Sequence, residues 1–100
     1  MPSPLTHEQI QSALAGLPGW SFADDRLSKT YKLADFRAAM AFIVLIGFEA
    51  ESANHHPELY NVYSTVRIAL NTHDAGGKVT QKDVDLARAI EGVSASQPRA

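Results

Sequence analysis

The sequence predicts an α+β sandwich, an antiparallel sheet with helices on one face, and three observations carry that expectation. Two segments of helical period open with capping-box spacing, at Thr6/Gln9 and Thr80/Asp83. Residues 20–33 and 58–71 are rich in β-branched and aromatic residues or alternate in polarity. Between them, residues 38–48 are apolar on every side, broken only by Gly47. Helix, strands, helix, strands, helix is an order that buries its apolar faces in two layers.

The first helix starts at Thr6, with Leu5 and Ile10 placed as a hydrophobic staple. Ile10, Ala13, Leu14 and Leu17 follow its period, and Pro18-Gly19 ends it. Residues 20–23 and 26–33 read as two short strands joined by the polar turn Asp24-Asp25. Leu27, Tyr31 and Leu33 share one face there, and Lys29 breaks the pattern.

Asp35 is a good N-cap for a second helix that runs to about Ser52. A helix covering one sheet face needs one apolar stripe, and this one has apolar residues all round. One side is expected to pack on the domain's own sheet and the other on a second subunit.

Residues 58–71 form one long strand or a hairpin turning near Ser64; no Gly or Pro marks a turn. A loop follows from His73 to Lys78. The last helix is expected from Thr80 to about Gly92, with Val79 and Val84 as a second staple. Residues 1–93 are thus expected to form a single domain, and 94–100 a disordered tail.

One hundred residues fit one domain with a limited core, which oligomer formation would supplement. The net charge of −2 offers no general attraction to nucleic acid or to an anionic membrane. The apolar run over 38–48 falls short of the roughly 20 residues that span a bilayer. No signal-peptide pattern is visible, and the absence of cysteine leans toward a cytoplasmic protein.

Three of the four histidines lie between positions 55 and 73. Glu51 and His55 are four apart and share a helix face if the helix reaches that far. Pro57 biases His56 toward extended geometry, so the adjacent pair His55-His56 diverges.

The cluster admits three readings. Each histidine can be structural, and Asp83 is explained as a helix cap. Glu51, His55, His56 and His73 are metal-ligand types, but no H-E-x-x-H spacing and no cysteine accompany them, and adjacent rings diverge. The third reading is metal-free acid–base chemistry, since histidine titrates near neutrality and a nearby carboxylate sets its tautomer. No nucleophile motif or phosphate-binding loop is present.

The spacing Glu51, His55-His56-Pro57, Tyr63, His73, Asp83 resembles the signature of the pterin-4a-carbinolamine dehydratase family. Gly19-Trp20, Asp35-Phe36, Asn61-Val62-Tyr63 and Thr72-His73 extend the likeness from Thr6 to Val93.

The resemblance implies a four-stranded antiparallel sheet with three helices, and hence a hairpin near Ser64. It implies loss of water from 4a-hydroxytetrahydropterin to give quinonoid dihydropterin, in tetrahydrobiopterin recycling, with no cofactor and no metal. His55 and His73 would be the acid–base pair, with His56 orienting substrate. Glu51 and Asp83 would be supporting carboxylates. Pro57 and the stretch Thr72, His73, Asp74 and Ala75 would contact the pterin, partly through backbone groups. A homodimer or homotetramer through the second helix and a sheet edge is implied, as is a cytoplasmic setting.

Leu59 stands where many relatives carry Trp, which alters the apolar wall expected of the pocket, and Asn54 where Asp is common. Two alternatives to the dehydratase are a non-catalytic dimerisation or interaction module and a divergent member acting in another pterin or molybdopterin pathway.

Overall fold

The structure, a computed structural model, describes residues 3–99. Helix α1 spans His7–Leu14, strands β1 and β2 span Ser21–Ala23 and Arg26–Lys32, and helix α2 spans Phe36–Ala53. Strands β3 and β4 follow at Glu58–Val62 and Thr65–Leu70, a 3-10 turn at His73–Ala75 and helix α3 at Gln81–Ser94. The four strands form one antiparallel sheet in the order β1-β2-β4-β3. The three helices cover one face of it.

Both capping boxes form. The Thr6 hydroxyl accepts from Gln9 N–H while the Gln9 side chain accepts from Thr6 N–H, and Thr80 and Asp83 repeat the exchange at α3. Asp35 caps α2 by accepting from Ala38 N–H at 2.8 Å.

The β3–β4 segment is a hairpin. Its two turn residues, Tyr63 and Ser64, reverse the chain, with Tyr63 at φ +51° and the Asn61 side chain donating to the Tyr63 and Thr65 carbonyls. The reversal decides which residues are inside. Val66, Ile68 and Leu70 on β4 are buried, opposite Tyr31, Lys29 and Leu27 of β2. Tyr60 and Val62 have the same parity in sequence but pair with Arg67 and Thr65, and so lie on the outer face. Parity does not survive a two-residue turn of this kind.

Helix α2 buries Ala38, Ala39, Phe42, Ile46 and Ala50, a single stripe against the sheet and α3. Phe42 meets the Tyr31 ring edge-on at 4.9 Å between centroids. The opposite side stays open, with Val44 56% and Phe48 65% exposed.

Lys29, which breaks the alternation of β2, is explained by a polar hub inside the helix layer. One oxygen of Glu91, on α3, accepts from Lys29 Nζ at 2.5 Å, Tyr31 OH at 2.5 Å and Trp20 Nε1 at 2.9 Å. Burial pushes the Glu91 carboxyl up, but these three donors outweigh it and hold it below the usual range. Burial and the hydrogen bond to Glu91 raise the Tyr31 hydroxyl well above its usual value.

The C-terminal expectation needs correction. Gly92 does not end the last helix, which continues to Ser94 with Ala95 as its cap. Residues 95–99 are not a free tail: Ala34 N–H donates to the Pro98 carbonyl at 3.1 Å, and Leu33 and Arg99 form an antiparallel bridge. The chain leaving β2 has backbone groups that no strand satisfies, and the returning segment pairs with them. Ala100 lies outside the described residues.

Replacing Glu91 with Ala strands three donors, and we expect a loss of about 2 kcal/mol in denaturant unfolding. A carboxyl with a depressed pKa stabilises the fold above the ordinary glutamate range, near about 4.3, and that contribution disappears as the pH falls through its folded value. Wild-type stability should therefore fall in that acid window more steeply than that of Glu91→Gln.

Candidate active site

The cleft that gathers the histidines is built where α2 ends, β4 ends and α3 begins. It is lined by Asn54, His55, His56, Asn71, Thr72, His73, Asp74 and Lys82, and holds about 280 Å³. A cleft between α1 and α3 is as large, about 290 Å³, so lining chemistry and not size distinguishes the histidine cleft.

Helix α2 stops because Asn54 adopts the left-handed conformation, φ +50°. His55 N–H then donates back to the Ala50 carbonyl at 3.0 Å and Asn54 N–H to that of Glu51 at 3.1 Å. This is a Schellman closure, with asparagine in the place usually taken by glycine. The helix therefore does not reach His55. Glu51 faces His56 instead, at 3.3 Å, and both side chains are largely exposed. An exposed pair at that distance contributes little to stability.

The turn drives His55 inward and leaves His56 outside. His55 Nε2 lies 2.5 Å from Oδ1 of Asp83, whose side chain is fully buried. The other oxygen, Oδ2, accepts from Thr80 N–H at 2.8 Å and from the Thr72 hydroxyl at 2.9 Å. Asp83 is therefore a helix cap and a histidine anchor at once. The two explanations that compete in the sequence are one carboxylate with two oxygens.

His73 comes from a tight loop. Thr72 N–H donates to the Lys78 carbonyl at 2.9 Å, and the Thr72 carbonyl accepts from Ala75 N–H and Gly77 N–H. Gly76 and Gly77, at φ +72° and +76°, supply the left-handed backbone that closes it. His73 and Asp74 project from the closed loop, both exposed and both on the cleft.

Of the residues singled out in the sequence, His55, His56, Thr72, His73 and Asp74 border the cleft, and Asp83 lies directly beneath His55. Glu51 reaches it only through His56, while Pro57 and Ala75 sit beside it without lining it. Leu59 is on β3 opposite Ile68 and lines no part of the cleft. Asn54, Asn71 and Lys82 line it and were not anticipated. Asn54 carried a readable signal, since asparagine is the commonest substitute for glycine at a helix C-terminus. Asn71 and Lys82 carried none beyond adjacency to Thr72 and Asp83. No three His, Asp or Glu side chains converge as metal ligands among the described residues.

With this geometry in place, likeness to known proteins is decisive. A sequence model described as "Pterin 4 alpha carbinolamine dehydratase" matches residues 3–93. The chain belongs to the pterin-4-alpha-carbinolamine dehydratase family. A family protein of Opitutus terrae is 55% identical over 94 residues, covering 94% of this chain and 97% of its own. One from Streptomyces coelicolor is 44% identical over 92 residues, covering 92% and 91%. Both are named "Putative pterin-4-alpha-carbinolamine dehydratase". The crystal structure of "transcriptional coactivator/pterin dehydratase" from Brucella melitensis superposes with a TM-score of 0.85 at 33% identity, covering 90% of this chain and 97% of that one. The family fold and the sheet order observed here therefore agree. No helix among the described residues is long and apolar enough to cross a membrane.

Asp83→Asn retains the shape of the anchor but puts an amide N–H₂ among groups that already donate. Unfolding should become easier by about 1–3 kcal/mol, read from the denaturant midpoint at constant slope.

Proposed function

We propose that the protein is a 4a-hydroxytetrahydropterin dehydratase acting by metal-free histidine acid–base chemistry in tetrahydrobiopterin recycling in the cytoplasm. The observation that supports this most is three histidines on one cleft, only one of them held by a buried carboxylate. The reaction asks for two proton transfers at different atoms. The hydroxyl on C4a must leave as water and so needs a proton. The N5 lone pair forms the new C4a=N5 bond as the C4a–O bond breaks. The ring then sheds a proton.

His55 and His73 suit these two tasks because they approach the cleft from different elements, the end of α2 and the loop after β4. His55, fixed on Asp83, is preorganised; His73, exposed and without a side-chain hydrogen bond among the described residues, is free to meet the substrate. His56 orients the pterin with Glu51 behind it. Asp74 and the backbone beside Thr72 form the edge against which the ring lies, with Pro57 and Ala75 next to it.

The reading includes self-association, as a homodimer or homotetramer, through the open side of α2 and the β3 sheet edge. Val44, Leu45 and Phe48 on α2, and Leu59, Tyr60 and Val62 on β3, are exposed apolar residues. Burying such side chains gains roughly 1.5–3 kcal/mol each, enough for a few to offset the cost of association. The same apolar surface suits a second reading, an interaction module, to which the word "coactivator" in the name of the Brucella protein also points.

Dehydration of a synthetic 4a-hydroxytetrahydropterin, followed by absorbance, tests the enzyme reading. His55→Ala and His73→Ala should each lose on the order of 10²–10⁴ in kcat, and His56→Ala should act mainly on KM. Full activity in both of the first two variants defeats the assignment, and an inactive wild type favours the interaction module. For assembly, Val44→Asp with Phe48→Asp should shift sedimentation toward a smaller species without loss of helical circular dichroism.

A further inference from the structure

We infer that Thr72 and Thr80 are positioning residues, a pair of buried hydroxyls that act through Asp83 to hold His55 with its proton on Nε2 and its Nδ1 lone pair free. This deepens the dehydratase reading and rests on it for its consequence in turnover.

Thr80 Oγ1 and Thr72 Oγ1 are 2.7 Å apart, and Thr72 Oγ1 is 2.9 Å from Asp83 Oδ2. Each hydroxyl has one proton to give. A carboxylate has none, so the Thr72 proton goes to Asp83. Thr72 must then accept from Thr80, whose only proton is used there. Thr80 in turn accepts Lys82 N–H, at 3.2 Å, from the first turn of α3. Every direction in the row is set by the carboxylate, which can only accept.

At the far end the same count reaches His55. Oδ2 already takes the Thr72 hydroxyl and Thr80 N–H, and Oδ1 faces Nε2 at 2.5 Å. With two donors and the α3 N-terminus around it, Asp83 is held as an acceptor, and Nε2 must donate. The neutral ring then presents an unprotonated Nδ1. That nitrogen has no hydrogen-bond partner among the described residues, and His55 carries no sealed, unsatisfied ring atom. His55 borders the cleft, so Nδ1 is the atom through which it can exchange a proton with a bound molecule.

Thr72 itself is only 2% exposed, with its N–H spent on Lys78 and its hydroxyl proton on Asp83. It has no donor left for a substrate. Its side chain belongs to the support of His55 and not to the binding surface.

Histidine labelled with ¹⁵N reads the ring tautomer directly through long-range proton–nitrogen correlations. Wild-type His55, at a pH where its ring is uncharged, should appear as the Nε2–H form. Thr72→Val, which keeps the branched shape and removes the proton, should give a mixture of forms and lower kcat by about tenfold, the scale of one buried hydrogen bond, with KM little changed. Thr72→Ser should restore both. A wild-type Nδ1–H form, or an unchanged spectrum in Thr72→Val, overturns the inference. If Thr72→Val does not fold, Thr80→Ala removes the upstream donor and must perturb the same His55 resonances; an unperturbed spectrum there overturns it equally. The spectra do not depend on turnover, so an inactive wild type counts against the proposed reaction and not against the tautomer.

Discussion

The buried carboxylate of Asp83 ties the site to the fold. It lies in the first turn of α3, where the helix leaves backbone N–H groups without partners, and it closes one of them as a capping box. Its second oxygen holds the histidine that follows the closure of α2. One side chain thereby joins the C-terminal end of one helix to the N-terminal start of another. Helices α2 and α3 pack along their apolar stripes, and that packing brings the two ends together.

This arrangement explains why two polar centres sit in so small a core. Glu91 and Asp83 lie on the same helix, two turns apart, and each gathers three donors. A buried acceptor with one donor too few would cost about as much as a truncated core side chain. No buried side-chain nitrogen or oxygen among the described residues lacks a partner. The Glu91 hub locks β2 and Trp20 to α3, while the Asp83 hub locks the histidine cleft to it. Helix α3 is therefore the common reference for both the sheet and the histidines.

The apolar excess on α2 has the opposite character. Nothing among the described residues covers Val44 or Phe48, and the β3 edge adds Tyr60 and Val62. Tyr63, with positive φ at the tip of the hairpin, stands 81% exposed. Bulky residues in that backbone region are strained, and such strain persists where the surroundings impose it. The fold thus buries one side of each of its outer elements and leaves the other side available.

By itself, the sequence determined the elements and singled out most of the side chains that the fold gathers at the candidate cleft. Capping boxes at Thr6 and Thr80, the Asp35 cap and the helical periods are local patterns, set by the chemistry of residues three or four apart. The spaced histidines and Asp83 were legible because their residue types and order along the chain resemble a known pattern. What only the tertiary structure decided was pairing between distant positions. Which face Tyr60 and Val62 occupy depends on a hairpin reversal that carries no glycine or proline. Lys29 looked like an error in a strand until Glu91, 62 residues away, was beside it. Glu51 turned to His56 and not His55 because Asn54 broke the helix one residue early. The double duty of Asp83 lies beyond any local pattern, because one oxygen answers to a neighbour three residues away and the other to a ring 28 residues back along the chain.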